Sequence, residues 1–121
     1  MTKIQWLVFR GIDDTVVDTL YQWDSRLTLR LPNFIVQPNT MYEFCVQNSR
    51  AAISPSYTVP ADKTTDGLYI TLPDELVNST GTIDIQLYAE DMITGSKMLV
   101  GIGAIEVVSR LTPGLPAYDA P

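Results

Sequence analysis

Between Ile83 and Glu90 the chain alternates without a break: Ile83, Ile85, Leu87 and Ala89 against Asp84, Gln86, Tyr88 and Glu90. A strand turns successive side chains to opposite faces, so this reads as a pleated segment with one buried and one wet face. The same period of two recurs. Leu27, Leu29 and Leu31 alternate with Arg26, Thr28 and Arg30, and Tyr42, Phe44 and Val46 alternate with Glu43, Cys45 and Gln47. Leu68, Ile70 and Leu72 alternate with Tyr69 and Thr71. Residues 3–9 and the β-branched run 15–20 read as two further strands.

Turn chemistry cuts each run. Pro32-Asn33, Gln37-Pro38-Asn39-Thr40 and Asp66-Gly67 are stop signals, and Thr94-Gly95 lies in a hairpin loop between Glu90 and Lys97. Residues 48–58 read as loop or edge strand because of Ser54-Pro55, and Pro60 to Gly67 as a polar loop. Pro73-Asp74-Glu75-Leu76-Val77 suits a single helical turn, with proline first and acids at its start.

Residues 97–108 differ. Met98, Val100, Ile102 and Ala104 occupy one phase, and Leu99, Gly101, Gly103, Ile105 and Val107 the other. Neither phase is polar, which predicts a strand covered on both sides, with the glycines where a bulky group or backbone comes close. The expected fold is all-β: an antiparallel β-sandwich of about 7–8 short strands over residues 1–108. Trp23, Leu27, Leu29, Ile83, Ile85 and Leu87 are its expected core. An extended arm follows over 109–121, because Pro113, Pro116 and Pro121 restrain the backbone.

Composition bounds function. At 121 residues the chain is one domain, long enough to bury a core without staples. One cysteine, Cys45, rules out an internal disulfide, and small-hydrophobe packing is its expected role. With no histidine, the side chain most used for proton transfer and metal ligation is missing. A net charge of −6 with scattered cations opposes nucleic acid and anionic membranes as partners. The first residues lack the apolar run of a signal peptide, so synthesis in the cytoplasm is expected.

The paired acids Asp13-Asp14, Asp74-Glu75 and Glu90-Asp91 resemble halves of a carboxylate dyad, but neighbours on a strand point to opposite faces. They read as turn and cap residues, and no enzyme activity, metal or cofactor is expected. Gly101-x-Gly103 opens no helix, so it is no phosphate cradle. Tyr69 and Tyr88 fall on the polar phases of their strands and are candidates for stacking on sugars.

Three segments carry a resemblance. Tyr21-Gln22-Trp23-Asp24 with Leu27 resembles the opening of a domain found in minor structural proteins of phages and prophages of Gram-positive bacteria. Leu72-Pro73-Asp74-Glu75-Leu76-Val77 with Gly81 and the strand 82–89 is similar to that domain's strand, proline turn and strand. Val107-Val108-Ser109-Arg110 with Pro113 and Tyr118 is similar to its closing segment.

The resemblance implies an N-terminal virion-anchoring β-sandwich of upper-baseplate or fibre type. This chain ends at Pro121 and has a longer spacing from Arg110 to Tyr118, which favours an accessory piece such as a capsid decoration protein or head-fibre base. The expectation is therefore a non-enzymatic structural protein of a tailed bacteriophage virion. Its expected partners are capsid or baseplate proteins and further copies of itself. Arg110, Leu111, Pro113, Leu115, Pro116 and Tyr118 are the expected particle contacts. Trp23 is expected to fill the core and Asp24 to accept hydrogen bonds from a turn. The alternative is a carbohydrate-binding module that attaches the particle to host glycans through Tyr69 and Tyr88.

Overall fold

The computed structural model describes residues 4–11, 13–32, 34–49, 57–64 and 67–110, with backbone only at residue 64. Among these lie nine strands: β1 (Gln5–Trp6), β2 (Thr19–Tyr21), β3 (Thr28–Pro32), β4 (Thr40–Asn48), β5 (Tyr57–Pro60), β6 (Asp62–Thr64), β7 (Gly67–Thr71), β8 (Gly81–Asp91) and β9 (Lys97–Val108). One 3-10 turn, Asp74–Val77, follows Pro73 at the place where proline and acids predict it.

Two sheets form. The larger has the order β1-β9-β8-β4-β5, with β2 also on β9, and the smaller has the order β3-β7-β6. Their facing sides share one core, in which Leu29, Leu31, Leu68 and Ile70 meet Phe44, Val46, Ile83, Ile85, Leu87 and Ile105. The Phe9 and Phe44 rings lie 6.1 Å apart by centroid within it. Full burial of such a side chain is worth about 1.5–3 kcal/mol. The period of two therefore places Leu29, Ile83, Ile85 and Leu87 correctly. Leu27 is partly buried and packs against the core.

The sandwich is not purely antiparallel. β1 and β2 both run parallel to β9 along its outer edge. The chain between them leaves the larger sheet, and Arg10 exchanges both backbone hydrogen bonds with Arg30 of β3, each at 2.8 Å. One N-terminal segment thus touches both sheets. That is why the strands expected at 3–9 and 15–20 shrink to two and three residues. The alternation that opens at Arg26 becomes a strand only at Thr28, because Arg26 takes a left-handed backbone (φ 54°) that cannot continue a strand. The polar loop expected at Pro60 to Gly67 instead contains β6, a short polar edge strand paired with β7.

Among the described residues β9 is covered on one side only. A Cβ on Gly101 would come within 2.6 Å of Leu7 Cδ2, and one on Gly103 within 3.2 Å of Phe9 Cε2. The glycines accept Leu7 and Phe9, as their spacing implies. The opposite face stays open, with Ile102 38% exposed. The second sheet has only one side to cover, and no described element lies over the other.

The two phases of β9 also do not run its full length. Leu87 pairs with Gly101 but Tyr88 with Leu99, so a register slip leaves Val100 as an extra residue. Val100 then packs against the core, and Leu99 faces the side of Tyr88.

Trp23 is not a core residue. It is half-buried, in a tight turn, with φ 75°. Asp24 N–H donates to the Tyr21 carbonyl at 3.1 Å, which closes Tyr21–Asp24 into a reverse turn. Its third residue needs positive φ, the position where glycine is cheapest. The turn points the indole off the main cluster despite its leucine-rich continuation.

Among the described residues Asn48 is the buried polar one, 2% exposed. Its amide nitrogen donates to the carbonyls of Leu76 (3.0 Å) and Ser79 (2.9 Å), which ties the 3-10 turn to β4.

Candidate functional site

Each of the paired-acid segments, read as turn and cap residues, has a member engaged within the chain. Asp13 accepts the Thr15 hydroxyl at 2.7 Å, and Asp14 pairs with Arg30 at 3.1 Å. Asp74 accepts the Arg26 N–H at 3.0 Å, and Asp91 accepts the Ile93 N–H at 2.8 Å. Among the described residues no cluster of three or more His, Cys, Asp or Glu is arranged to hold a metal.

Two of the segments that carry the resemblance meet. Arg110 Nη1 lies 2.9 Å from Asp24 Oδ1, and the other oxygen of Asp24 accepts the Tyr21 N–H at 3.2 Å. The turn at Tyr21–Asp24 thus receives the arginine that follows β9. The third segment joins them, since Trp23 N–H donates to the Val77 carbonyl at 3.0 Å and Gln22 Nε2 to the Asn78 carbonyl at 2.8 Å. Asp24 accepts hydrogen bonds from its turn, as expected. Arg110 is engaged within the chain. Leu111, Pro113, Leu115, Pro116 and Tyr118 lie outside the described residues.

The two candidate stacking tyrosines do not form one platform. Both are half-buried. Tyr69 lies on β7 of the smaller sheet, and Tyr88 on β8 of the larger sheet. Each points away from the shared core, so they sit on opposite outer sides of the sandwich.

A different aromatic stands out. Trp6 is 63% exposed on the outer face of the larger sheet. Pairing places Trp6 beside Ile102, Ile102 beside Gln86, and Gln86 beside Cys45. These form one row across four strands, at about 4.8 Å per strand. A second row, Ala104, Asp84 and Gln47, runs next to it. Together the rows line an open depression of about 480 Å³.

Tyr88 donates its hydroxyl to Gln86 Oε1 at 3.1 Å and steadies that amide. Cys45 is half-buried on this outer face, with its sulfur 3.8 Å from the Thr58 hydroxyl, and does not pack in the core. At the far end of the face Lys97 pairs with Glu43, whose hydrogen bond raises the lysine pKa above its ordinary value.

Sequence reasoning missed Trp6 because Ile4, Trp6 and Val8 alternate with Gln5, Leu7 and Phe9, and both phases are largely apolar. The usable signal lay elsewhere. Gln86 and Asp84 mark the wet face of β8, and whatever pairs beside them shares it.

A second cleft of about 500 Å³ opens at the hairpin end, lined by Phe34, Ile35, Tyr42, Ala89, Met98 and Val100 among others. Tyr42 packs edge-on against Phe34 with centroids 5.5 Å apart, and its hydroxyl accepts the Gln37 N–H at 3.0 Å. Met41, Met92, Ile93 and Met98 are exposed around this pole.

A scan against protein-family models finds no match to this chain, and a search of curated proteins finds none either.

Proposed function

We propose that the protein is a non-enzymatic structural component of a tailed bacteriophage virion, attached to the particle surface as a capsid decoration or head-fibre base, or as a baseplate adaptor. The observation that carries this reading is the convergence of the three resembling segments on one end of the sandwich. Tyr21–Asp24, the turn at Pro73–Val77 and Arg110 are far apart in sequence, yet they are joined there by the Asp24–Arg110 ion pair and the bonds to Val77 and Asn78.

Further support comes from the surface. The methionine-rich pole offers flexible apolar side chains of the kind that adapt to protein partners. Segment 111–121 is rich in proline, and a restrained backbone loses less entropy on docking. The clasp at Arg110 ties the root of that segment to the sandwich.

The test is incorporation. Particles are assembled with the full chain or with a chain truncated after Ser109, and the bound protein is quantified on purified virions. The truncated chain is expected to stay folded and to be lost from particles. Full incorporation of the truncated chain removes the assigned role of the tail, and absence of the intact chain from virions removes the reading itself.

A further inference from the structure

We propose that the outer face of the larger sheet is a binding site for a neutral oligosaccharide, stacked on Trp6 and hydrogen-bonded by Gln86 and Asp84. The inference stands apart from the virion reading and uses a different part of the molecule.

The chemistry of the face matches a sugar better than another protein surface. Trp6 presents a wide apolar ring to solvent, and the C–H face of a pyranose is the complement of such a ring. A purely apolar docking face would continue in leucines or valines. Here the row turns polar within two strands, at Gln86, and the adjacent row holds Asp84 and Gln47.

Sugar hydroxyls both donate and accept, so they need both kinds of partner. Amides supply donors and acceptors, and a carboxylate supplies acceptors. The Tyr88 hydroxyl donates to the Gln86 carbonyl oxygen, and the amide hydrogens of Gln86 remain as donors. The depression is open, and its volume of about 480 Å³ lies within the range of small-ligand sites.

Charge selects among sugars. Among the described residues the depression is lined by one carboxylate, Asp84, and by no lysine or arginine. The whole chain carries −6. Sulfated, phosphorylated and uronic-acid sugars are repelled, and neutral ones are not. The site also sits on β8 and β9, the two longest strands. Its side chains are therefore preset by the ladder and need little ordering on binding.

The experiment uses the intact chain on an array of neutral and acidic glycans. The strongest neutral binder is then titrated by two-dimensional NMR against wild type, Trp6→Ala, Trp6→Phe and Gln86→Ala. Shifts are expected at Trp6, Ile102, Asp84 and Gln86. Trp6→Ala is expected to weaken binding roughly tenfold or more, as loss of a central aromatic anchor does. Trp6→Phe keeps a smaller ring and part of the affinity, and shows that the loss does not come from misfolding. Truncation after Ser109 is expected to leave binding unchanged, which separates this site from the virion reading.

Three results overturn the proposal: no neutral glycan bound on the array, binding indifferent to Trp6→Ala in a folded variant, or Trp6→Ala turning a dimer into a monomer in sedimentation. The last would make the face a contact between two copies of this chain.

Discussion

The two faces of the larger sheet are built from the same strands and meet opposite fates. Its inner face sets Phe44, Val46, Ile83, Ile85 and Leu87 against the smaller sheet, and all are buried. Its outer face carries Trp6 and Ile102 beside Gln86 and Asp84, and stays open to water. Both faces hold apolar groups at the β1–β9 edge, so hydrophobicity alone does not decide which is covered. What decides is the partner sheet, which lies on one side only. An apolar group on the covered side contributes stability, and one on the open side is available for binding.

The comparison breaks most visibly through the inner face. Phe44→Ala removes a fully buried ring and is expected to destabilise by about 3–5 kcal/mol in denaturant unfolding. A loss under about 1 kcal/mol would mean that the core is not sealed. Gly101→Ala adds only a methyl group, yet it drives into Leu7 from the inner side. Overpacking of this kind costs about 1–3 kcal/mol. It is also expected to loosen the N-terminal segment, read as faster amide exchange at Leu7, whose N–H donates to the Ile102 carbonyl.

Asn48→Ala is next, at about 1–3 kcal/mol, because the carbonyls of Leu76 and Ser79 lose their shared donor. Thermal melting checks it, and a neutral result would mean that water replaces the amide. The outer face sharpens the contrast from the other side. Trp6→Ala is expected to change stability by about 0.5 kcal/mol or less, since the side chain is mostly exposed. A large loss there would show that the face is structural.

The turn at Trp23 offers a smaller test. Trp23→Gly is expected to be more stable than Trp23→Ala by roughly 1 kcal/mol, because only glycine sits at positive φ without strain. Equal stabilities would place the residue outside the left-handed region in solution.

Legibility followed the clarity of the alternation. β8 alternates strictly, and its buried phase is the one the pattern indicates. β9 is apolar in both phases, and its outer exposure was not legible from its own residues. The N-terminal segment has the same ambiguity, which hid Trp6. Trp23 misled for another reason. Its size argues for burial, but a reverse turn places it by backbone geometry, and propensity carries no trace of that. Tyr88 was legible as outward-facing. That it faces the opposite side from Tyr69 was not, because the two belong to different sheets.

By itself the amino-acid pattern determined that this chain pleats into short strands around an apolar interior. Alternation and turn residues act over a few neighbours, and local sterics read them directly. Only the tertiary structure decided that β1 and β2 lie parallel to β9, that one apolar face stays open around Trp6, and that Arg110 closes on Asp24. Those outcomes depend on which distant strands pair and on how many sheets are available to cover a face. Both are set by the balance of long-range packing, and no single segment encodes them.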